Sequence, residues 1–107
     1  MRIVVSVLAI LFGLLHLAAA ATRFKAEDPA VRASAIIMAC GCVSVFASSI
    51  THLIGAGWIT CLELLVGCTL VCAAAWLNGK LSKDFHLSHH AVRGGIAALL
   101  VICFTIW

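Results

Sequence analysis

Four long apolar runs, separated by charged or glycine-containing segments, constrain this chain more than any other feature. The runs are Ile3 to Ala21, Ala33 to Ile54, Trp58 to Leu77 and Gly94 to Trp107. A helix needs about 20 apolar residues to cross a hydrocarbon core of about 30 Å, and the first three runs reach that length. The fourth run has 14 residues, and it becomes a full span if Ser88 caps its helix.

These runs predict an all-α integral membrane protein with one transmembrane domain over residues 1–107. We expect helices over residues 3–21, 30–54, 58–77 and 89–107. Asp28-Pro29 is a typical helix start, and Asn78-Gly79 is expected to end the third helix. Because the turn Gly55-Ala56-Gly57 is short, the middle helices should form a hairpin within an up-and-down bundle of four helices.

Composition excludes a soluble domain, since 64% of the residues are hydrophobic and 10% are charged, against about 25% charged in soluble proteins. Arg2 and the alanines that end the first run imitate a secretory signal. The run is longer than a typical apolar signal region of about 7–15 residues, so we expect a span.

The basic residues are distributed unequally between the two sides of the predicted bundle. Residues 22–32 and 78–93 hold six of the seven Lys and Arg residues, and Arg2 is the seventh. Basic residues collect in cytoplasmic loops, so we place both segments on the cytoplasmic side of the membrane and both termini outside. The expected membrane is the plasma (inner) membrane. Arg93 is expected to extend toward the headgroups. The net charge of +3 is too thinly spread to indicate nucleic acid, so the expected surroundings are the lipid bilayer and other membrane chains.

Small residues mark the helix faces that are expected to pack, because membrane helices associate through close contact. The predicted packing residues recur at helical spacing and are Gly13, His16, Gly41, Gly67, Gly94 and Gly95. The row that includes Ser44, Ser48 and His52 in the second helix allows an alternative interpretation, a path for a solute.

Glu63 and His52 are the strongest functional candidates, since ionisable groups inside a membrane are costly and usually functional. They lie about 9 Å and about 5 Å from the turn that joins their helices, so the two side chains could pair. Such a pair could couple transport to protons. The alternative is that Glu63 only ties the hairpin together. His16 is expected to hydrogen-bond a neighbouring helix.

Cysteine and histidine clusters give weaker signals. The six cysteines are expected to pack as small apolar residues, and Cys61 with Cys103 is the favoured pair if a disulfide forms. His86, His89 and His90 are weak metal-ligand candidates if their segment is helical, and a solvated loop is the alternative.

Two families are similar to this chain in limited respects. Its size and span count resemble those of the small multidrug resistance transporters, which would imply an essential carboxylate in the first helix, and the first span has none. Gly13-Leu14-Leu15-His16-Leu17 and Glu63-Leu64-Leu65-Val66-Gly67 resemble DoxX-like four-helix membrane proteins, but the second segment falls in the third helix rather than the second.

We therefore expect an oligomeric transporter or channel for a small solute or ion. Glu63 and His52 would be its coupling pair, with Ser44 and Ser48 lining the approach. The alternative is a non-transporting accessory or scaffold subunit of a larger membrane complex. Neither an enzyme nor a cofactor is predicted, since the sequence contains no nucleophile and base pair, phosphate loop or cofactor fingerprint.

Overall fold

The computed structural model describes residues 1–107 and contains four α-helices. The helices are α1 (Arg2–Ala21), α2 (Pro29–Leu53), α3 (Trp58–Leu81) and α4 (Leu87–Ile106). Each helix is long and apolar enough to cross a membrane by length and composition. The predicted all-helical fold with four helices is therefore confirmed.

Neighbouring helices run antiparallel. Arg2, at the start of α1, donates a hydrogen bond from Nε to the carbonyl oxygen of Trp107, beyond the end of α4 (2.8 Å). Ser34 near the start of α2 donates a hydrogen bond to the side-chain oxygen of Asn78 near the end of α3. The chain thus forms an up-and-down bundle in which the last helix returns to the first.

The turns that precede α2 and α3 use residues suited to helix starts. The side chain of Asp28 accepts a hydrogen bond from the backbone N–H of Ala30 (2.9 Å), and Pro29 takes the first helical position, as predicted. Gly57 precedes α3 with a φ of +69°, a conformation that glycine adopts without steric cost. The α2–α3 connection is correspondingly tight.

The third helix ends later than the sequence suggests. Asn78-Gly79 does not stop α3, which continues to Leu81. Asn78 remains helical because its side chain is buried and accepts the hydrogen bond from Ser34. The chain leaves the helical conformation at Lys83, which has a φ of +57°.

The fourth helix begins earlier than predicted. It starts at Leu87 rather than residue 89, so Ser88 lies within its first turn and does not cap it. His86 takes the preceding position without a side-chain capping bond.

A close contact of two glycines holds α2 against α3. A Cβ atom on Gly67 would lie 2.8 Å from the carbonyl oxygen of Gly41 and 2.8 Å from Cγ2 of Val45. A Cβ on Gly41 would lie 2.9 Å from the carbonyl oxygen of Gly67. Only residues without a side chain allow the two backbones to approach this closely, which is a common device in membrane helices.

The predicted small-residue face of α1 is buried in the bundle. The residues on this face, spaced three and four apart, are Ser6, Ala9, Gly13, His16 and Ala20. At its centre a Cβ on Gly13 would lie 2.7 Å from the Phe46 ring of α2. Because a flexible aromatic side chain forms this contact, it is more adaptable than the backbone contact between α2 and α3.

The fourth helix is covered least by the rest of the bundle. Its buried residues are Ala97, Leu100 and Phe104. A Cβ on Gly94 or Gly95 would meet nothing within 4 Å. The expectation that these two glycines pack is therefore not met within one chain, because the bundle covers only a narrow stripe of α4.

Large apolar side chains remain exposed along the outer faces of all four helices. Soluble monomers rarely expose contiguous apolar patches larger than a few hundred Å². All six cysteines are free thiols, and the disulfide considered between Cys61 and Cys103 is not formed. All of them except the exposed Cys40 act as small side chains in and around the core.

Candidate functional site

A polar cavity of about 400 Å³ opens at the end of the bundle that carries the two charged connections. We call it the basic cavity because arginine and histidine side chains dominate its charged lining. All four helices and the α3–α4 connection contribute to its lining, which consists of Ala19, Arg23, Met38, Ala75, Asn78, Gly79, Ser82, Asp84, His86, His89, His90 and Arg93.

Arg93 reaches from α4 into the bundle. It lies six residues after Leu87, about 9 Å along the helix. Its Nε donates a hydrogen bond to Nε2 of His16 on α1 (2.8 Å), and its Nη1 lies 3.3 Å from Nδ1 of His90. The side chain therefore crosses to another helix, whereas the sequence suggested that it extends toward the headgroups.

The hydrogen bonds of His16 define its tautomer. Its Nδ1 lies 2.7 Å from the carbonyl oxygen of Phe12, which can only accept, so Nδ1 carries the hydrogen. Its Nε2 accepts from Arg93. His16 is thus a neutral, buried imidazole, and it makes the bond to a neighbouring helix that the sequence suggested.

No carboxylate pairs with the arginines of this cavity. The one contact between an acidic and a basic side chain joins Asp84 to His86, two lining residues of the cavity (2.8 Å). A guanidinium has five N–H donors, and two imidazole contacts leave most of those of Arg93 free. Because Arg93 is half-buried, an anion that accepted these bonds would stabilise it strongly.

An aromatic cluster holds His90 beside Arg93. The ring of Phe85 stacks on His90 with centroids 4.6 Å apart and meets Trp76 edge-on at 4.6 Å. Nζ of Lys80 lies 4.7 Å from the centroid of Phe85, within cation–π range. These contacts orient the imidazole that Arg93 contacts.

The three histidines considered as metal ligands do not form a metal site. His86 precedes α4 and binds Asp84, so the helical spacing assumed for His86 and His90 does not apply. The ring centroid of His89 is 5.5 Å from that of His86. No group of three or more His, Cys, Asp or Glu side chains is placed to hold a metal ion.

Glu63 and His52 do not pair. Thr51 Oγ1 donates a hydrogen bond to Glu63 Oε2 (2.7 Å), and Thr60 Oγ1 donates to Thr51 Oγ1 (3.2 Å). The ring of His52 instead stacks on Phe104 of α4, with centroids 4.1 Å apart. Successive residues on a helix point about 100° apart, so Thr51 faces α3 while His52 faces α4.

Ser44 bonds across the hairpin, Ser48 bonds within α2, and neither borders the basic cavity. Ser44 Oγ donates a hydrogen bond to the carbonyl oxygen of Glu63 (2.8 Å). Ser48 is fully buried, and its Oγ donates to the carbonyl oxygen of Val45 (2.7 Å).

No protein-family model matches this sequence, and no curated protein or solved structure gives a significant match. The resemblances to small multidrug resistance transporters and DoxX-like proteins gain no support from these comparisons. The geometry of the basic cavity is therefore the main guide to function.

Sequence reasoning did not identify Arg93 and Asn78 as site residues. A signal existed for Arg93, because an arginine several residues inside an apolar helix is costly unless it has polar partners. Asn78 was not predicted as a site residue because Asn-Gly is typical of a helix end, and the pair was interpreted in that way. Only the structure brings both residues to one cavity.

Proposed function

We propose that the protein crosses a bilayer four times, in the plasma (inner) membrane, with both charged connections in the cytoplasm. The exposed apolar helix faces and the uneven distribution of Lys and Arg support this arrangement. Retention in the membrane fraction after alkaline carbonate extraction tests the insertion. Reporter fusions at residue 25 and at the C-terminus, which should report opposite sides, test the orientation.

Within that membrane the protein binds a small hydrophilic anion in the basic cavity and, as an oligomer, transports it. The observation that carries this proposal is Arg93, half-buried in α4, bonded to two imidazoles and paired with no carboxylate. A cavity of about 400 Å³ is large enough for a phosphate or small carboxylate.

The arginines of the cavity, the two imidazoles that contact Arg93 and the hydroxyl of Ser82 have distinct parts in binding. Arg93 supplies the principal charge and donors, and His16 and His90 fix its direction. Arg23 adds a second positive charge to the lining. The hydroxyl of Ser82 also borders the cavity and can donate to an anion as an alternative to its present acceptor. Arginine is well suited to this role because its planar fork matches oxyanion geometry.

This proposal replaces the coupling pair of Glu63 and His52 with an arginine-centred site. Glu63 bonds to Thr51 and His52 stacks on Phe104, so protons could not pass directly between Glu63 and His52. A membrane-embedded carboxyl with a hydroxyl partner is well explained by hairpin stability alone.

A non-transporting accessory role is the second candidate, and one surface favours it. An open groove of about 680 Å³ runs between α3 and α4 and includes Cys68, Trp76 and Gly94. The groove is almost entirely apolar and faces outward, as a docking surface for another membrane helix would. In that case a foreign subunit should remain bound when the protein is extracted gently and weighed by native mass spectrometry.

The deciding experiment is anion flux in proteoliposomes. Wild-type protein should carry inorganic phosphate or acetate above the rate of empty vesicles, and Arg93→Gln should reduce that flux at least about tenfold by removing the charge. Arg93→Lys is the matched control, since it keeps the charge but not the planar fork, and it should retain intermediate flux. Equal flux in wild type and Arg93→Gln would overturn the proposal.

A further inference from the structure

A second cavity lies at the opposite end of the bundle. We call it the terminal cavity because the start of α1, the α2–α3 turn and the end of α4 enclose it. Its volume is about 580 Å³, and it shares no lining residue with the basic cavity. The lining residues that matter below are Arg2, His52, Trp58, Phe104 and Trp107.

His52 is the unexplained group of this cavity. Its side chain is only 6% exposed, and its Nε2 has no hydrogen-bond partner. Its ring stacks on Phe104, with an interplanar angle of 22°. Buried polar atoms nearly always have partners, so an imidazole nitrogen without one beside a cavity calls for a partner that the other side chains do not supply.

Arg2 supplies a positive charge to the same cavity. Its Nε donates to the main-chain oxygen of Trp107 (2.8 Å), and its terminal nitrogens make no hydrogen bond within the protein. Its Nη1 lies 3.4 Å from the position that a Cβ of Gly55 would occupy, so the guanidinium extends over the α2–α3 turn. No Asp or Glu side chain pairs with it.

The walls of the terminal cavity are aromatic. The rings of Trp58, Phe104 and Trp107 border it, whereas the basic cavity is lined mostly by polar side chains. Organic ligands usually occupy pockets of about 300–1,000 Å³ with apolar walls and a few polar groups. The volume and lining thus suit a molecule larger than a bare inorganic ion.

We propose that the terminal cavity binds an organic carboxylate with an apolar body. The carboxylate accepts hydrogen bonds from the terminal nitrogens of Arg2 and, once the buried ring of His52 turns toward the cavity, from its Nε2–H. The apolar body lies against the rings of Trp58, Phe104 and Trp107. This inference goes beyond the proposed transport function and does not depend on it, because the two cavities have no residue in common.

Tryptophan fluorescence tests this site directly. In a Trp76→Phe background, the remaining tryptophans are Trp58 and Trp107, and both border the terminal cavity. We would titrate this protein, in nanodiscs of phosphatidylcholine, with phenylacetate and with its uncharged analogue phenylacetamide. A saturable change with phenylacetate, and at least about tenfold weaker binding of phenylacetamide, is expected because a charged hydrogen bond is lost.

Three variants make the result specific to the proposed contacts. Arg2→Gln and His52→Gln should each weaken phenylacetate binding at least about tenfold. Arg32→Gln removes an exposed arginine that borders neither cavity, and it should bind as the parent does. Far-ultraviolet circular dichroism of each variant checks that the helices are retained.

Several outcomes would overturn the proposal. Equal binding of phenylacetate and phenylacetamide would show that the cavity does not recognise charge. Equal binding of inorganic phosphate would show that the aromatic walls contribute nothing. If phosphatidylglycerol in the nanodisc produces the fluorescence change and blocks phenylacetate, a lipid phosphate occupies the cavity instead. Phenylacetate binding that is unchanged in both Arg2→Gln and His52→Gln would place the ligand elsewhere.

Discussion

Arg93 and His16 lie 77 residues apart in the chain, and a hydrogen bond of 2.8 Å joins their side chains. The bond connects α4, the least covered helix, to α1. It also places a guanidinium beside an imidazole that must be neutral in order to accept. The hydrogen bond between Arg93 and His16 therefore both holds α4 against α1 and positions the positive charge of the basic cavity.

The first prediction concerns the protonation of His16. Nitrogen NMR of side chains in nanodiscs should show His16 as the neutral tautomer with hydrogen on Nδ1 at pH 7.5. Acidification that protonates His16 removes the acceptor for Arg93, so the Arg93 Nε–H resonance should shift in step with the His16 titration. His52, which borders the cavity at the opposite end of the bundle, is the control and should not affect Arg93. A His16 tautomer with hydrogen on Nε2 would contradict the assignment.

The second prediction concerns the glycine contact between α2 and α3. Gly67→Ala places a Cβ 2.8 Å from a backbone oxygen that cannot move aside easily, and overpacking of this kind typically costs about 1–3 kcal/mol. Gly95→Ala is the matched control, because its Cβ meets nothing within 4 Å and alanine improves helix propensity by up to about 1 kcal/mol. Unfolding in mixed micelles with increasing dodecyl sulfate measures both. Equal stability of the two variants would mean that the helices are not in close contact.

The third prediction concerns the buried hydrogen bond between Ser34 and Asn78. Ser34→Ala removes the donor, and the cost in a membrane protein should be about 0.6–1.7 kcal/mol. A double-mutant cycle with Asn78→Leu isolates the coupling between the two side chains, because each single change removes the same bond. Strictly additive changes in the free energy of unfolding would show that the bond contributes nothing.

The fourth prediction separates the arginine-centred site from the carboxyl of Glu63. Glu63→Gln keeps an oxygen that can accept from Thr51, so stability should change by less than about 1 kcal/mol and anion flux in proteoliposomes should persist. Thr51→Val removes the donor and should destabilise the hairpin without abolishing flux. Loss of flux in Glu63→Gln, with the protein folded and inserted, would return the carboxyl to the centre of the mechanism.

Much of the fold could be predicted because apolar length and helical spacing are local signals. The cap formed by Asp28 and the small-residue face of α1 follow from residue types at fixed spacing. The predicted end of α3 was wrong because the conformation of Asn78 depends on a hydrogen bond from Ser34, which lies 44 residues away in the sequence. A tertiary hydrogen bond outweighed the local tendency of Asn-Gly to end a helix.

The site was harder to predict because pairing depends on helix rotation. Glu63 and His52 lie at suitable depths, but the neighbour of His52 in sequence, Thr51, is the residue that faces α3. A difference of one position rotates a side chain by about 100°, and the sequence does not specify that rotation. The contact between Arg93 and His16 depends on the rotation of both α4 and α1 about their axes.

The backbone contact between Gly41 and Gly67 restricts how the molecule can move. Helices in such close contact lose packing when they slide or separate, so we expect α2 and α3 to move as one body. The contacts of α1 with α2 involve the adaptable ring of Phe46, and few residues of α4 are buried. Opening of either end cavity would therefore occur by a rocking motion of α1 and α4 about a stationary hairpin.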